Sequence, residues 1–177
     1  MGRSALRPGA FRGHRDGMGT PEPLIVTIDA TWFGAGLSPK AKEKLAAIAH
    51  EYEAPAGTIL LREDEETREL GLVIHGRVGL ATQVPGRGPV SLVTVEPGDV
   101  FGWSALVPPF RATSTARAIE RVQVVAFEAS RLRAAVRSDV DLAAAVYQQV
   151  LEAVARRLMA TRHQLFDVYR LDTFEPL

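Results

Sequence analysis

Cysteine is absent from all 177 residues, which excludes disulfides, iron–sulfur clusters and thiolate metal sites. Net charge is absent too. Lys and Arg number 21, and so do Asp and Glu, so no global field draws the chain toward nucleic acid or anionic lipid. The four histidines, at positions 14, 50, 75 and 163, form no His-x-His or Glu-x-x-His pair, leaving a metal site without ligands. No apolar run reaches the ~20 residues of a membrane span. Residues 1–20 lack the apolar segment of a secretory signal and are expected to be a disordered tail. There is no nucleophile elbow, no Walker loop and no close acid pair with a base, so an enzyme is not expected. At 46% hydrophobic, residues 21–177 can bury one core. They are expected to form a single cytoplasmic domain.

Proline and glycine punctuate the middle of the chain. Turns at Pro55 to Gly57, His75-Gly76, Pro85 to Pro89 and Pro97-Gly98 separate short β-rich runs between residues 52 and 128, a spacing that predicts a closed antiparallel barrel or jelly roll. Ahead of them, residues 24–28 read as a short strand. Ser38 as N-cap and Pro39 at the first position start a helix with apolar residues at 41, 45 and 48. The 62–69 cluster of Arg, Asp and Glu reads as a solvated turn.

From 139 to 170 there is no Gly or Pro, which predicts one long helix. Ala144, Leu151, Leu158 and Leu165 recur every seven residues, interleaved with Tyr147, Val154, Thr161 and Val168. That is the a/d seam of a coiled-coil dimer. A second apolar stripe, Val146, Val150, Met159 and Phe166, is expected to pack on the barrel.

The most informative stretch is Glu96 to Ala118. It holds a Pro97-Gly98-Asp99 turn, the pair Phe101-Gly102, a short helical turn over 103–107, a Pro108-Pro109 stop, Arg111, and then alternating Thr and Ala. A glycine before a helical turn with an arginine beyond it is one way to hold an anion, since the first helical amides lack internal acceptors and arginine adds a charged fork. This stretch resembles the phosphate-binding cassette of the cyclic-nucleotide-binding domain, the sensor of catabolite-activator-type regulators, nucleotide-gated channels and kinase regulatory subunits. Residues 55–65 and 70–80 are similar to that family's early strands at the expected distance, and the resemblance spans roughly residues 37 to 170.

The resemblance implies a β-barrel or jelly roll, mainly β with flanking helices, ending in a long dimerisation helix. It also implies a small-molecule sensor whose ligand is a cyclic nucleotide or another anion, with contacts from Phe101, Gly102, Trp103, Ser104, Ala105, Arg111, Ala112, Thr113 and Thr161. The chain departs from the family at several of these. Where the family has a glutamate accepting from the ribose, this chain has Trp103, which reads either as a stacking face or as a plug. Arg111 comes one residue early, and an ungapped register puts Ala112 in the arginine's place. A one-residue slip turns a side chain to the opposite face, so Arg111 reads either as an anion contact or as a solvent-facing cation. The backbone N–H groups of Ser104 and Ala105 survive any substitution. Thr113 is also consistent with plain β-propensity. Thr161 matches a purine-contacting threonine of the family or reads as a polar seam residue bonding its own helix; the serine that follows it in the family is Arg162 here. Asp64-Glu65 replaces a Gly-Asp turn. Only seven residues follow the long helix, so direct DNA binding through a groove-reading helix is not expected. A homodimer passing its signal to a downstream protein is expected, the alternative being an assembly module that has lost its ligand.

Overall fold

The computed structural model describes residues 21–171, and the side chains of 23–162. Three short helices precede the sheets: α1 (Pro21–Asp29), α2 (Trp32–Ala35) and α3 (Pro39–Ala46). Residues 24–28, expected as a strand, lie inside α1 instead. Leu24 and Ile28 are buried one turn apart, while Val26 between them is exposed. That is helical periodicity, and prolines in a first helical turn lose no backbone bond. The start of α3 follows the sequence: the Ser38 hydroxyl accepts from Ala41 N–H at 3.2 Å, with Pro39 in the first turn.

Eight strands follow: β1 (Ala49–Ala54), β2 (Ile59–Leu61), β3 (Glu69–His75), β4 (Val78–Val84), β5 (Gly88–Val95), β6 (Val100–Phe101), β7 (Thr115–Ala118) and β8 (Val122–Glu128). They form two four-stranded antiparallel sheets, ordered β1-β8-β3-β6 and β2-β7-β4-β5. The jelly-roll expectation holds. A closed barrel does not form, because the ladder is interrupted between the two sheets and they pack face to face.

The first sheet is buried on both sides. Val122, Val124 and Ala126 of β8 enter the core between the sheets, whereas Val125 and Phe127 face the helices. On β3, Leu70 and Leu72 face the helices and Val73 faces inward. At Gly71 a side chain would collide with the Phe101 ring, so the glycine lets Phe101 lie between the sheets.

A helix absent from the sequence reading, α4 (Ala129–Ser138), continues directly from β8. Glu128 precedes it without a side-chain cap, and no Gly or Pro marks the junction. Asp139 then adopts extended backbone and its carboxylate accepts from Leu142 N–H at 3.0 Å, starting α5 (Val140–Leu171, 32 residues). Lys44 pairs with the same Asp139. At 1.5 Å per residue α5 is about 48 Å long. Leu142, Val146, Val150 and Ala153 pack into the helix-side core. Met159 does not; it is 64% exposed, because nine residues beyond Val150 is about two and a half helical turns, which puts it on the opposite face. Leu151 and Leu158 of the heptad seam are 67% and 70% exposed. The seam positions Leu165 and Val168, and Phe166 of the second stripe, lie outside the described side chains, as residues 1–20 lie outside the described chain.

Candidate ligand-binding site

Strand β6 is two residues long and delivers the chain to Gly102, whose φ is +75°. A Cβ there would come 2.6 Å from the Glu69 carbonyl oxygen, so both the backbone angle and the close approach to β3 require glycine. The next residues, Trp103–Ala105, form a single 3-10 turn. Its geometry divides the two amides singled out from the sequence. Ala105 N–H donates to Gly102 O at 2.9 Å and is spent inside the turn. Ser104 N–H has no acceptor among the described residues. Phe101, Gly102, Ser104 and Ala105 are buried. Trp103 is half-buried and packs against the helix-side core.

The chain then crosses the exposed Val107, Pro108 and Pro109, through a cis Pro108-Pro109 bond, to Phe110 at φ +61°. Phe110 O accepts from Thr67 N–H at 2.8 Å, and Ala112 N–H donates to Glu65 O at 2.9 Å. Residues 64–67 and 110–112 thus run side by side, with Glu66 bridging Arg111. This pairing fixes which residues point in. Arg111 and Thr113 are exposed, whereas Ala112 is 2% exposed and Ser114 is buried. Of the two adjacent residues, Ala112 is thus the one packed inward and Arg111 the one that meets solvent. Asp64 takes φ +63°, the left-handed geometry for which the altered Gly-Asp turn would otherwise use glycine. In the 62–69 cluster Arg62, Asp64, Glu65, Glu66 and Arg68 are exposed and Glu63 and Glu69 half-buried; among them Thr67 is fully buried and its hydroxyl has no partner.

Three groups around this site escaped the sequence reading. Arg133 of α4 donates to Ala105 O at 2.9 Å, and its guanidinium lies 4.6 Å from the centre of the Phe110 ring. At the Pro97-Gly98-Asp99 turn, Asp99 receives both Arg156 (3.3 Å) and Arg157 (3.4 Å) from α5. Arg157 also bonds to Val100 O, and Arg156 stacks 3.4 Å over Trp32. Burial pushes the Arg157 pKa below its ordinary value, opposed by Asp99, and its Nε and Nη1 are buried without partners. Thr161 sits half-buried one turn further along α5. Finally, Tyr52 donates its hydroxyl to Glu69 at 2.7 Å, with His50 4.0 Å from the same carboxylate. Burial raises the Glu69 pKa, opposed by the Tyr52 bond and by His50. Burial and then the Glu69 charge raise that of Tyr52. The Pro-Gly-Asp motif flagged Asp99 in the sequence, but nothing flagged its arginine partners, which lie 57 and 58 residues away.

No group of three or more His, Asp or Glu among the described residues can hold a metal ion, and no helix there is long and apolar enough to cross a membrane. The cyclic nucleotide-binding domain profile matches residues 51–139. The chain is similar to a CRP-like cAMP-activated global transcriptional regulator of Mycobacterium tuberculosis, 27% identical over 137 residues, covering 77% of this chain and 59% of that protein. It thus spans about three fifths of the length of that relative. Among solved structures, a cyclic nucleotide-binding protein from Geobacter metallireducens GS-15 is 31% identical with a TM-score of 0.68, covering 80% of this chain and 99% of that one. A cyclic nucleotide-binding domain from Methylobacillus flagellatus shares the fold at 17% identity, with a TM-score of 0.69 over 89% and 86% of the two chains.

Proposed function

Because the chain belongs to the cyclic nucleotide-binding domain family, we propose that it is a non-catalytic, cytoplasmic ligand sensor whose altered cassette binds cyclic AMP weakly and admits other anionic ligands. The observation that carries this reading is the paired change at Trp103 and Ala112. An indole N–H cannot accept a hydrogen bond, so a ribose hydroxyl has no charged acceptor at position 103. A hydrogen bond to a charged group contributes about 1.5–3 kcal/mol, so its loss weakens binding about ten- to hundredfold. The exposure of Arg111 beside a buried Ala112 supports the loss of a second charge-assisted contact. What supports anion binding is the unspent Ser104 amide at the head of the turn.

The exposed seam of α5 supports the second part of the proposal, a parallel homodimer through Leu151, Leu158 and their heptad companions. In that dimer the helix carries the ligand signal to a partner protein. Isothermal titration with cyclic AMP and cyclic GMP tests the sensor: dissociation constants well above about 1 μM are expected, and tighter binding overturns the weak-binding reading. Arg111→Ala leaves that binding unchanged if the arginine stays outside. A protein that binds no nucleotide or phosphate, yet dimerises, is an assembly module that has lost its ligand.

A further inference from the structure

The segment 105–110 connects the 3-10 turn to the strand pair that lines the site, and one guanidinium holds both of its ends. Arg133 Nη1 donates to the carbonyl of Ala105, the last residue of the turn, at 2.9 Å. The same group lies 4.6 Å from the centre of the Phe110 ring, the residue at φ +61° that closes the loop. Between these anchors Leu106 is buried in the helix-side core, while Val107, Pro108 and Pro109 are exposed and depend on the two ends for their position. The carbonyl end of a turn carries partial negative charge, so a fixed cation there steadies the turn whose opposite end offers Ser104 N–H.

Arg133 is not itself part of the core. It is half-exposed, while Leu132 and Val136 on either side bury α4. The helix also keeps a separate anchor, Ala129 N–H to Arg68 O at 2.8 Å. Removing the guanidinium therefore loosens the exposed 107–109 stretch, which Leu106 and the Thr67–Phe110 bond still tether, without unpacking the helix.

We propose that Arg133 is a positioning residue for the ligand site, locking the cassette loop through Ala105 and Phe110 so that the turn's amide is held in its binding geometry. The proposal rests on the sensor reading above. Calorimetry with cyclic AMP on the full chain compares the wild type with Arg133→Ala, Arg133→Lys and Phe110→Leu. Arg133→Ala is expected to weaken binding about tenfold, equivalent to 1.4 kcal/mol. Arg133→Lys keeps charge and a donor but no planar face, so it restores part of that loss, a rescue that a merely bulky spacer would not give. Phe110→Leu removes the ring and keeps the hydrogen bond. It is expected to weaken binding about two- to fivefold, and it serves as the test should Arg133→Ala fail to fold. If the wild type binds and these variants match it within about twofold, the positioning role is overturned and the sensor reading stands. If the wild type shows no binding at about 1 mM, the sensor reading falls and takes this role with it.

Discussion

Gly102 is where the cassette depends on a single hydrogen atom. Its left-handed φ already costs an alanine about 1–2 kcal/mol, and a Cβ 2.6 Å from the Glu69 carbonyl oxygen forces β3 and the turn apart. Gly102→Ala is expected to lose about 2–4 kcal/mol in urea unfolding. Glu69 answers to pH instead. Its native-state pKa lies above the ordinary 4.5, so the folded protein holds this proton more tightly than the unfolded chain. Glu69 therefore stabilises the fold fully below pH 4.5 and progressively less as pH rises through its raised native value. Glu69→Gln keeps an acceptor for Tyr52 and does not titrate. Melting temperatures of the two proteins should converge in acid, with the variant gaining on the wild type as pH rises from 4.5 toward neutrality.

Helix α5 is tied to the sheet by the Asp99 latch. Arg157 is only 12% exposed and Asp99 21%, so the pair lies between the surface and buried regimes, whereas Arg156 at 44% contributes little. Asp99→Asn strands a buried guanidinium and is expected to cost about 2 kcal/mol, less than the ~3–5 of a fully buried pair. Asp99→Asn with Arg157→Met should recover most of that loss, as chemical denaturation can measure. Element by element, the sequence was legible where local chemistry decides. Ser38-Pro39 announced α3, glycine turns delimited the strands, and the Gly- and Pro-free stretch matched α5 within a residue. It was illegible where tertiary contact decides. Four apolar residues and a threonine at 24–28 fit a strand or one turn of buried helix equally, and only burial of Leu24 with Ile28 separates the two. The start of α4 has no cap or breaker to read. The order and spacing of the cassette were plain, but the inward turn of Ala112 came from backbone pairing with Glu65.

For the molecule as a whole, the exposed face of α5 leaves two large leucines in water on a chain with no net charge. A second copy would cover both. Leu158→Glu should barely alter the stability of the monomer, because surface substitutions usually stay within about 0.5 kcal/mol. In the dimer it sets one carboxylate from each copy in a shared apolar layer. Light scattering at micromolar concentration is expected to give a dimer for the wild type and a monomer for the variant, and a monomeric wild type would end the proposal. The seam's heptad spacing was legible in the sequence. That Met159 joins the exposed side follows from helical spacing as well, since nine residues beyond Val150 is half a turn away from the packed face.

The placement of the chain's two tryptophans has an optical consequence. Trp32 lies under the Arg156 guanidinium at the latch, while Trp103 sits half-buried at the cassette. With Trp103 replaced by Phe, the remaining emission reports whether α5 is fastened, and Asp99→Asn should shift its intensity with no ligand present. With Trp32 replaced by Phe, the remaining emission reports the cassette, and a bound anion should perturb it. Recorded in parallel titrations of the two variants, the two signals separate occupancy of the pocket from release of the helix without any added label.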